Sequence, residues 1–217
     1  MNVQRKGSTV NPRRQYDASG RRERARIVHN ALLDSALQRF TSDGYAATTI
    51  ESIAADVGTS AATIYKSYGG KPGLVRALCH RALAGRGPVH AEQRSDELRT
   101  ATTDAHDVVR GWGRLTAEVA PRVAPILLLL RDAASGDAAA AALHDELDKD
   151  RLRRMTANAR FLVDNGHART GITVAHARDI LWTYSAPELF DLLVRRRRWT
   201  IDRYSTFVAD AIAGALL

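Results

Sequence analysis

Residues 48–70 determine more of this chain's architecture than any other stretch, because two short helix signals follow one another there with only a turn between them. Ile50, Ile53, Ala54 and Val57 recur at i, i+3, i+4 and i+7, the apolar face of a two-turn helix. Thr48 stands before them as the expected N-cap, Glu51 three residues on completes a capping box, and Gly58 ends the segment. Ser60 is a second N-cap for a helix carrying Ala61, Ala62, Thr63, Ile64, Tyr65 and Lys66, which stops at Gly69-Gly70. Two short helices joined by a three- or four-residue turn containing glycine form a helix-turn-helix.

The rest of the chain extends this helical reading. Ile27, Val28, Ala31, Leu32, Ala36, Leu37 and Phe40 predict a first helix running from Arg21 to Gly44. Leu74, Val75, Leu78 and Ala82 mark a fourth, with the lone Cys79 on the same face as a core residue. Further helices are expected over 91–119, 122–134, 137–165, 174–185, 187–198 and 201–216, the one at 187 restarting behind a Ser185 cap with Pro187 in its first turn. No stretch alternates as a strand would, so the expected class is all-α. The expected units are a basic, disordered arm (1–20), a three-helix domain holding the helix-turn-helix (21–72) and a second helical domain (73–217).

Charge separates the two ends. The chain carries a formal net charge of +8, and all of it lies in residues 1–90, which hold 14 Lys and Arg against 6 Asp and Glu. The remaining 127 residues are neutral in sum. Setting aside the first 20 residues still leaves +5 on the N-terminal part, as expected if that part meets a polyanion. One cysteine permits no internal disulfide, and the seven histidines include no i, i+4 pair, so neither a disulfide framework nor a metal or cofactor is expected. No apolar run is long enough to span a bilayer, and the basic N-terminus lacks the apolar core of a secretory signal, so a cytoplasmic location is expected.

The second helix of a helix-turn-helix reads base edges in the major groove, so its outer face must allow close approach and offer hydrogen-bonding groups. Ile64 is its buried anchor. Ala61 and Ala62 permit close approach and methyl contacts, and Lys66 is the long cation that can donate to guanine. Thr49, Thr63, Tyr65, Tyr68 and Lys71 suit phosphate contacts, with Tyr68 the more core-like of the two tyrosines, and Ser60 is first a cap.

The run Gly44-Tyr45-Ala-Ala-Thr48-Thr49-Ile50-Glu-Ser-Ile53-Ala54-Ala-Asp-Val57-Gly58 followed by Thr59-Ser60-Ala-Ala-Thr63-Ile64-Tyr65-Lys-Ser-Tyr68-Gly-Gly-Lys71-Pro-Gly-Leu74 resembles the signature of the TetR family of transcriptional regulators over about 50 residues. Ser67, Gly69-Gly70 and Pro72 depart from the family's usual residues. The resemblance implies DNA contacts from Thr49, Ser60, Ala61, Ala62, Thr63, Tyr65, Lys66 and Lys71. It also implies a homodimer formed by the last two long helices, here 180–194 and 204–217, with Leu189, Phe190, Leu193, Phe207, Ile212 and Leu216 buried.

For the C-terminal part the resemblance implies a small-molecule effector that releases a repressor from a palindromic DNA site. Trp112, Arg131, Trp182 and Tyr184 are the candidate ligand contacts. Four consecutive arginines, Arg195–Arg198, suit a solvated helix end better than an anion site. No catalytic triad, glycine-rich phosphate loop or paired carboxylates are expected there, so no enzyme is predicted. The alternative readings are a sequence-tolerant architectural DNA-binding protein, suggested by the few base-reading side chains, and an enzyme or carrier retaining the motif for packing alone.

Overall fold

The structure is a computed structural model that describes residues 18–85 and 89–217. Ten α-helices follow one another in these residues, without a strand. They are α1 (Ala18–Ser42), α2 (Ile50–Val57), α3 (Ala61–Tyr68), α4 (Lys71–Ala84), α5 (Ala91–Ala101), α6 (Ala105–Ala133), α7 (Ala138–Asp164), α8 (Val174–Tyr184), α9 (Pro187–Phe190) and α10 (Ile201–Leu216), with a π-helical segment, Asp191–Arg196, continuing α9. Of the expected arm, residues 1–17 lie outside the described part, and residues 18–20 open α1.

Two apolar cores organise the chain. In the first, Leu33 and Phe40 of α1, Ile53 of α2, Ile64 of α3 and Leu78 of α4 pack together with Ile126 and Leu130 of α6 and Leu143 of α7. In the second, Val108 and Trp112 of α6 meet Leu162 of α7, Leu181 of α8 and Tyr204 and Ile212 of α10. Long α6 therefore enters both cores. The chemistry of α4 also crosses the expected boundary after residue 72, since Leu74, Val75, Leu78 and Cys79 sit in the same core as α1–α3.

Several expectations change with the structure. The first helix buries Leu32, Leu33, Ala36 and Phe40 but leaves Ile27 57% and Val28 41% exposed, because residues 22–28 extend beyond the body the rest of α1 packs on. The break expected near residue 120 falls instead at Thr102–Asp104, where Asp104 Oδ1 accepts from the His106 amide at 2.8 Å. Pro121 and Pro125 both lie inside α6. Each proline removes one backbone donor, but Ala117, Ala120 and Ala124 on the buried face pack continuously across the gap. Ser185 does not cap α9: its hydroxyl donates back to the Trp182 carbonyl at 3.1 Å, and Ala186 holds the cap position. Expected helix 187–198 becomes a short α-helix and a π segment, and Arg198 ends it at φ 59°.

Among the described residues, no helix is long and apolar enough to cross a membrane.

Candidate nucleic-acid interface and ligand cavity

The two motif helices are held by their own caps. Thr49, not Thr48, is the N-cap of α2: its Oγ1 accepts from the Ser52 amide at 3.1 Å. Thr48 is buried and spends its hydroxyl on the Gly44 carbonyl at 2.8 Å, which tightens the turn ahead of the helix. That one-residue displacement removes Glu51 from the capping-box position. Ser60 caps α3 as expected, accepting from the Thr63 amide at 3.2 Å, and its hydroxyl lies 2.8 Å from that of Thr63. Gly58 and Gly69 close the two helices in the left-handed region.

Tertiary contacts then set their angle. Arg39 of α1 grips Asp56 of α2 with two bonds of 2.6 and 2.7 Å, and the Ser35 hydroxyl adds a third at 2.7 Å. These donors hold the Asp56 carboxyl down at about 2, the Arg39 bond being the larger cause. At the other end, Gly73 must be glycine: a Cβ there would stand 1.6 Å from the Tyr68 carbonyl oxygen, so α4 begins directly against the end of α3. Pro72 sits in the first turn of α4, where its missing donor costs nothing.

What remains outside is the candidate contact face. Ile64 is fully buried, while Tyr65 is 51% exposed and Lys66 is exposed, both on the second helix of the motif. Ala62, Thr63, Thr49 and Ser60 are exposed as well, and Ala61 is half-buried against the core. Tyr68 faces inward, with its hydroxyl 2.6 Å from His29 Nδ1 and its ring stacked on that imidazole. Lys71 is less free than the sequence implies. Its ammonium donates to the Tyr45 carbonyl at 2.8 Å and lies 4.5 Å above the Tyr45 ring, fastening α4 to the turn before α2.

In the C-terminal part, a cavity of about 230 Å³ opens between α4, α5, α6, α7 and the α8–α9 junction. Leu115, Val119, Val123 and Ala124 of α6 and Met155 of α7 give it apolar walls. A second hollow of about 280 Å³ shares Leu127, Leu147 and Arg151 with it, and a third of about 50 Å³ shares Ser95, Thr116 and Met155.

None of the four candidate ligand residues lines the main cavity. Arg131 and Trp182 border the second hollow, and Trp112 and Tyr184 the third. Arg131 is engaged by Asp132 and Glu188 at 2.9 and 2.8 Å. Arg151 lies over the Trp182 ring at 4.5 Å, and the Trp112 indole donates to the Ser95 carbonyl at 3.4 Å. The aliphatic α6 residues that line this cavity are not among the candidates the sequence suggests. Their signal was present in α6's apolar side chains, which occupy more than the single stripe a helix packed on one side needs.

Cys79 also lines the cavity, and burial pushes its thiol up to about 12. The four arginines behave as a helix end: Arg195 and Arg196 both bond Asp191, at 3.1 and 2.7 Å, and Arg197 and Arg198 are exposed. Among the described residues no cluster of three or more His, Cys, Asp or Glu is arranged for a metal.

A capped pair of short helices set by a third, with an exposed aromatic and cation on the second, defines the helix-turn-helix class. Residues 32–78 match the family model of bacterial regulatory proteins, tetR family. The chain is 35% identical over 71 residues, 33% of its length, to YvkB of Bacillus subtilis (strain 168), an uncharacterized HTH-type transcriptional regulator, and spans 38% of that relative's length. A solved complex of SmeT with triclosan shares the fold at a TM-score of 0.68 and 20% identity, over 88% of this chain and 92% of that one. FadR from Bacillus subtilis in complex with stearoyl-CoA does so at 0.68 and 16%, over 87% and 100%. Residues 32–78 thus carry a motif similar to that of the tetR family, and the chain as a whole shares the fold of these two structures.

Proposed function

We propose that the chain is a dimeric DNA-binding transcriptional regulator, a repressor that leaves a palindromic site when a small molecule occupies the C-terminal cavity. The observation that carries this reading is Tyr65-Lys66 on α3: an exposed aromatic and an exposed cation beside the buried anchor Ile64, presented on a helix whose caps and neighbours are rigidly set. In this reading Lys66 meets base edges. Tyr65, Thr63, Thr49 and the amides at the start of α2 meet phosphates, and Lys71, already bonded to Tyr45, mainly holds the frame.

Dimerisation is supported by what the single chain leaves uncovered near its C-terminus. Leu192 is 50% and Ile201 39% exposed, and Leu189, Leu193 and Phe207 are only half-buried. Phe190, Ile212 and Leu216 are already buried within the chain, so they support an interface from behind and cannot form it. Two copies related by a two-fold axis present two recognition helices to successive major grooves, about 34 Å apart. The small-molecule part of the reading is supported by the apolar cavity and by solved neighbours that were obtained with triclosan and stearoyl-CoA.

The test is selection of DNA fragments by the purified protein, followed by titration with the intact chain and with Tyr65→Ala and Lys66→Ala. A palindromic site bound well above bulk DNA, and weakened by both changes, is the expected result. Binding that varies with salt alone and enriches no site would replace this reading with the architectural one.

A further inference from the structure

The main cavity's charges are all committed to other protein groups, and this limits what it can hold. Four ionisable side chains besides Cys79 reach its lining: Glu92, Asp150, Arg151 and Arg154, two of each sign. Arg154 is bonded to Asp96 and stands 3.8 Å from Glu92. Arg151 donates to Asp148 at 2.9 Å, to the Trp182 carbonyl at 2.5 Å and to the Ser185 hydroxyl at 3.2 Å. Asp150 pairs with Arg153 at 2.5 Å. A charged ligand would have to break one of these pairs or bring its own charge into an apolar enclosure without a partner, and both are costly.

We infer that this cavity takes an uncharged, largely apolar molecule and discriminates against anions. The inference deepens, and rests on, the ligand-responsive reading above. Size agrees with it: about 230 Å³ exceeds the roughly 150 Å³ apolar cavity that accepts benzene, leaving room for two or three rings or a branched chain. The buried Cys79 thiol adds no charge at ordinary pH, since burial holds it protonated. Among the lining hydroxyls, Ser95 is bonded to Asn158 and Ser185 to Trp182, whereas Thr116 has no partner among the described residues and offers one hydrogen bond.

The test compares two fluorescent probes with one ring skeleton, neutral N-phenyl-1-naphthylamine and its anionic sulfonate, 1-anilinonaphthalene-8-sulfonate. Both are titrated into the full chain and into Met155→Trp, whose indole fills the junction of two hollows; binding in the cavity is the part this change removes. Circular dichroism checks that the variant folds, and Leu115→Trp, also half-buried on the lining, replaces it if it does not. The neutral probe is expected to bind one site per chain about tenfold or more tighter than the sulfonate. Asp96→Asn, which leaves Arg154 only the looser pairing with Glu92 at 3.8 Å, should raise the sulfonate's affinity about two- to fivefold and leave the neutral probe unchanged.

A sulfonate that binds the cavity as tightly as the neutral probe, or a cavity that binds neither, overturns the inference. Repeating the titrations with the selected DNA bound separates this from the wider reading. A neutral probe that fills the cavity without loosening DNA leaves the ligand class standing and withdraws release by that probe alone. A sulfonate that fills the cavity and loosens DNA does the reverse.

Discussion

Ile64 and Tyr65 are neighbours on α3, and the structure assigns them opposite consequences. Ile64 is fully buried, so Ile64→Ala removes three carbons from a packed core. At about 0.8 kcal/mol per buried methylene the transfer part is about 2.4 kcal/mol. The residual cavity raises the total to about 3–4 kcal/mol. For a chain of this length that corresponds to a fall in Tm of about 10 °C. Tyr65 is 51% exposed and its hydroxyl has no partner among the described residues, so Tyr65→Ala should stay within about 0.5 kcal/mol of the parent. Its effect belongs on DNA: a lost hydrogen bond to a charged phosphate weakens binding by about tenfold or more. Thermal unfolding by circular dichroism and fluorescence anisotropy with the selected DNA, at equal protein concentration, separate the two. If Tyr65→Ala lowered Tm as much as Ile64→Ala, or left DNA affinity unchanged, the assignment of faces on α3 would be wrong.

Other substitutions follow from the same geometry. Gly73→Ala should destabilise the chain or unseat α4 from α3, seen as a lower Tm with lost DNA affinity, because the obstructing Tyr68 carbonyl is backbone and cannot rotate away. Lys71→Ala should cost about 1–2 kcal/mol in urea unfolding through its lost bond to the Tyr45 carbonyl, while the salt dependence of DNA binding changes little; a slope reduced by about one would restore Lys71 to the phosphate contacts. Asp56 is held at about 2 in the folded chain against an ordinary 3.8, so its contribution is complete above about 4 and disappears as pH falls towards 2. The stability deficit of Asp56→Asn should shrink over that window, and a deficit independent of pH would show that the Arg39 and Ser35 contacts act through shape rather than charge.

Where the sequence was readable, it was because local signals and tertiary packing agree. Ser60, Ile64 and Gly69 each do at α3 what their residue type favours, so a reader of the sequence recovers that helix and its outer face. The Thr48-Thr49 pair defeats such reading: both can cap, and only the burial of Thr48 against Gly44 decides that Thr49 does. The break expected between residues 119 and 122 falls at Pro121, yet α6 continues through it along two cores, while the quieter Thr102-Thr103-Asp104 signal marks the true break. Trp112, Arg131, Trp182 and Tyr184 were attractive ligand residues for the same reason that they are absent from the main cavity. Trp112 and Arg131 find hydrogen-bonding partners within the chain and Trp182 lies under Arg151, while the apolar wall of the cavity falls to aliphatic residues of α6 that carry no chemical signature.

The helix α4 shows how the two halves can be coupled without any residue shared between ligand and DNA. Cys79 and Leu83 line the cavity, and one turn earlier Leu74, Val75 and Leu78 belong to the core that seats Ile53 and Ile64. Its far end is fastened from α6: Arg122 Nε donates to the Ala82 carbonyl at 3.0 Å, and its Nη2 to Glu118 at 3.2 Å. Its near end is fixed by Gly73 against Tyr68 and by Lys71 on Tyr45. Bonded at both ends, α4 is the element through which a ligand in the cavity would act on α3 in the proposed reading. A ligand can therefore alter DNA affinity only to the extent that it prefers one placement of α4 over another, and a molecule that fits both placements equally would bind and change nothing.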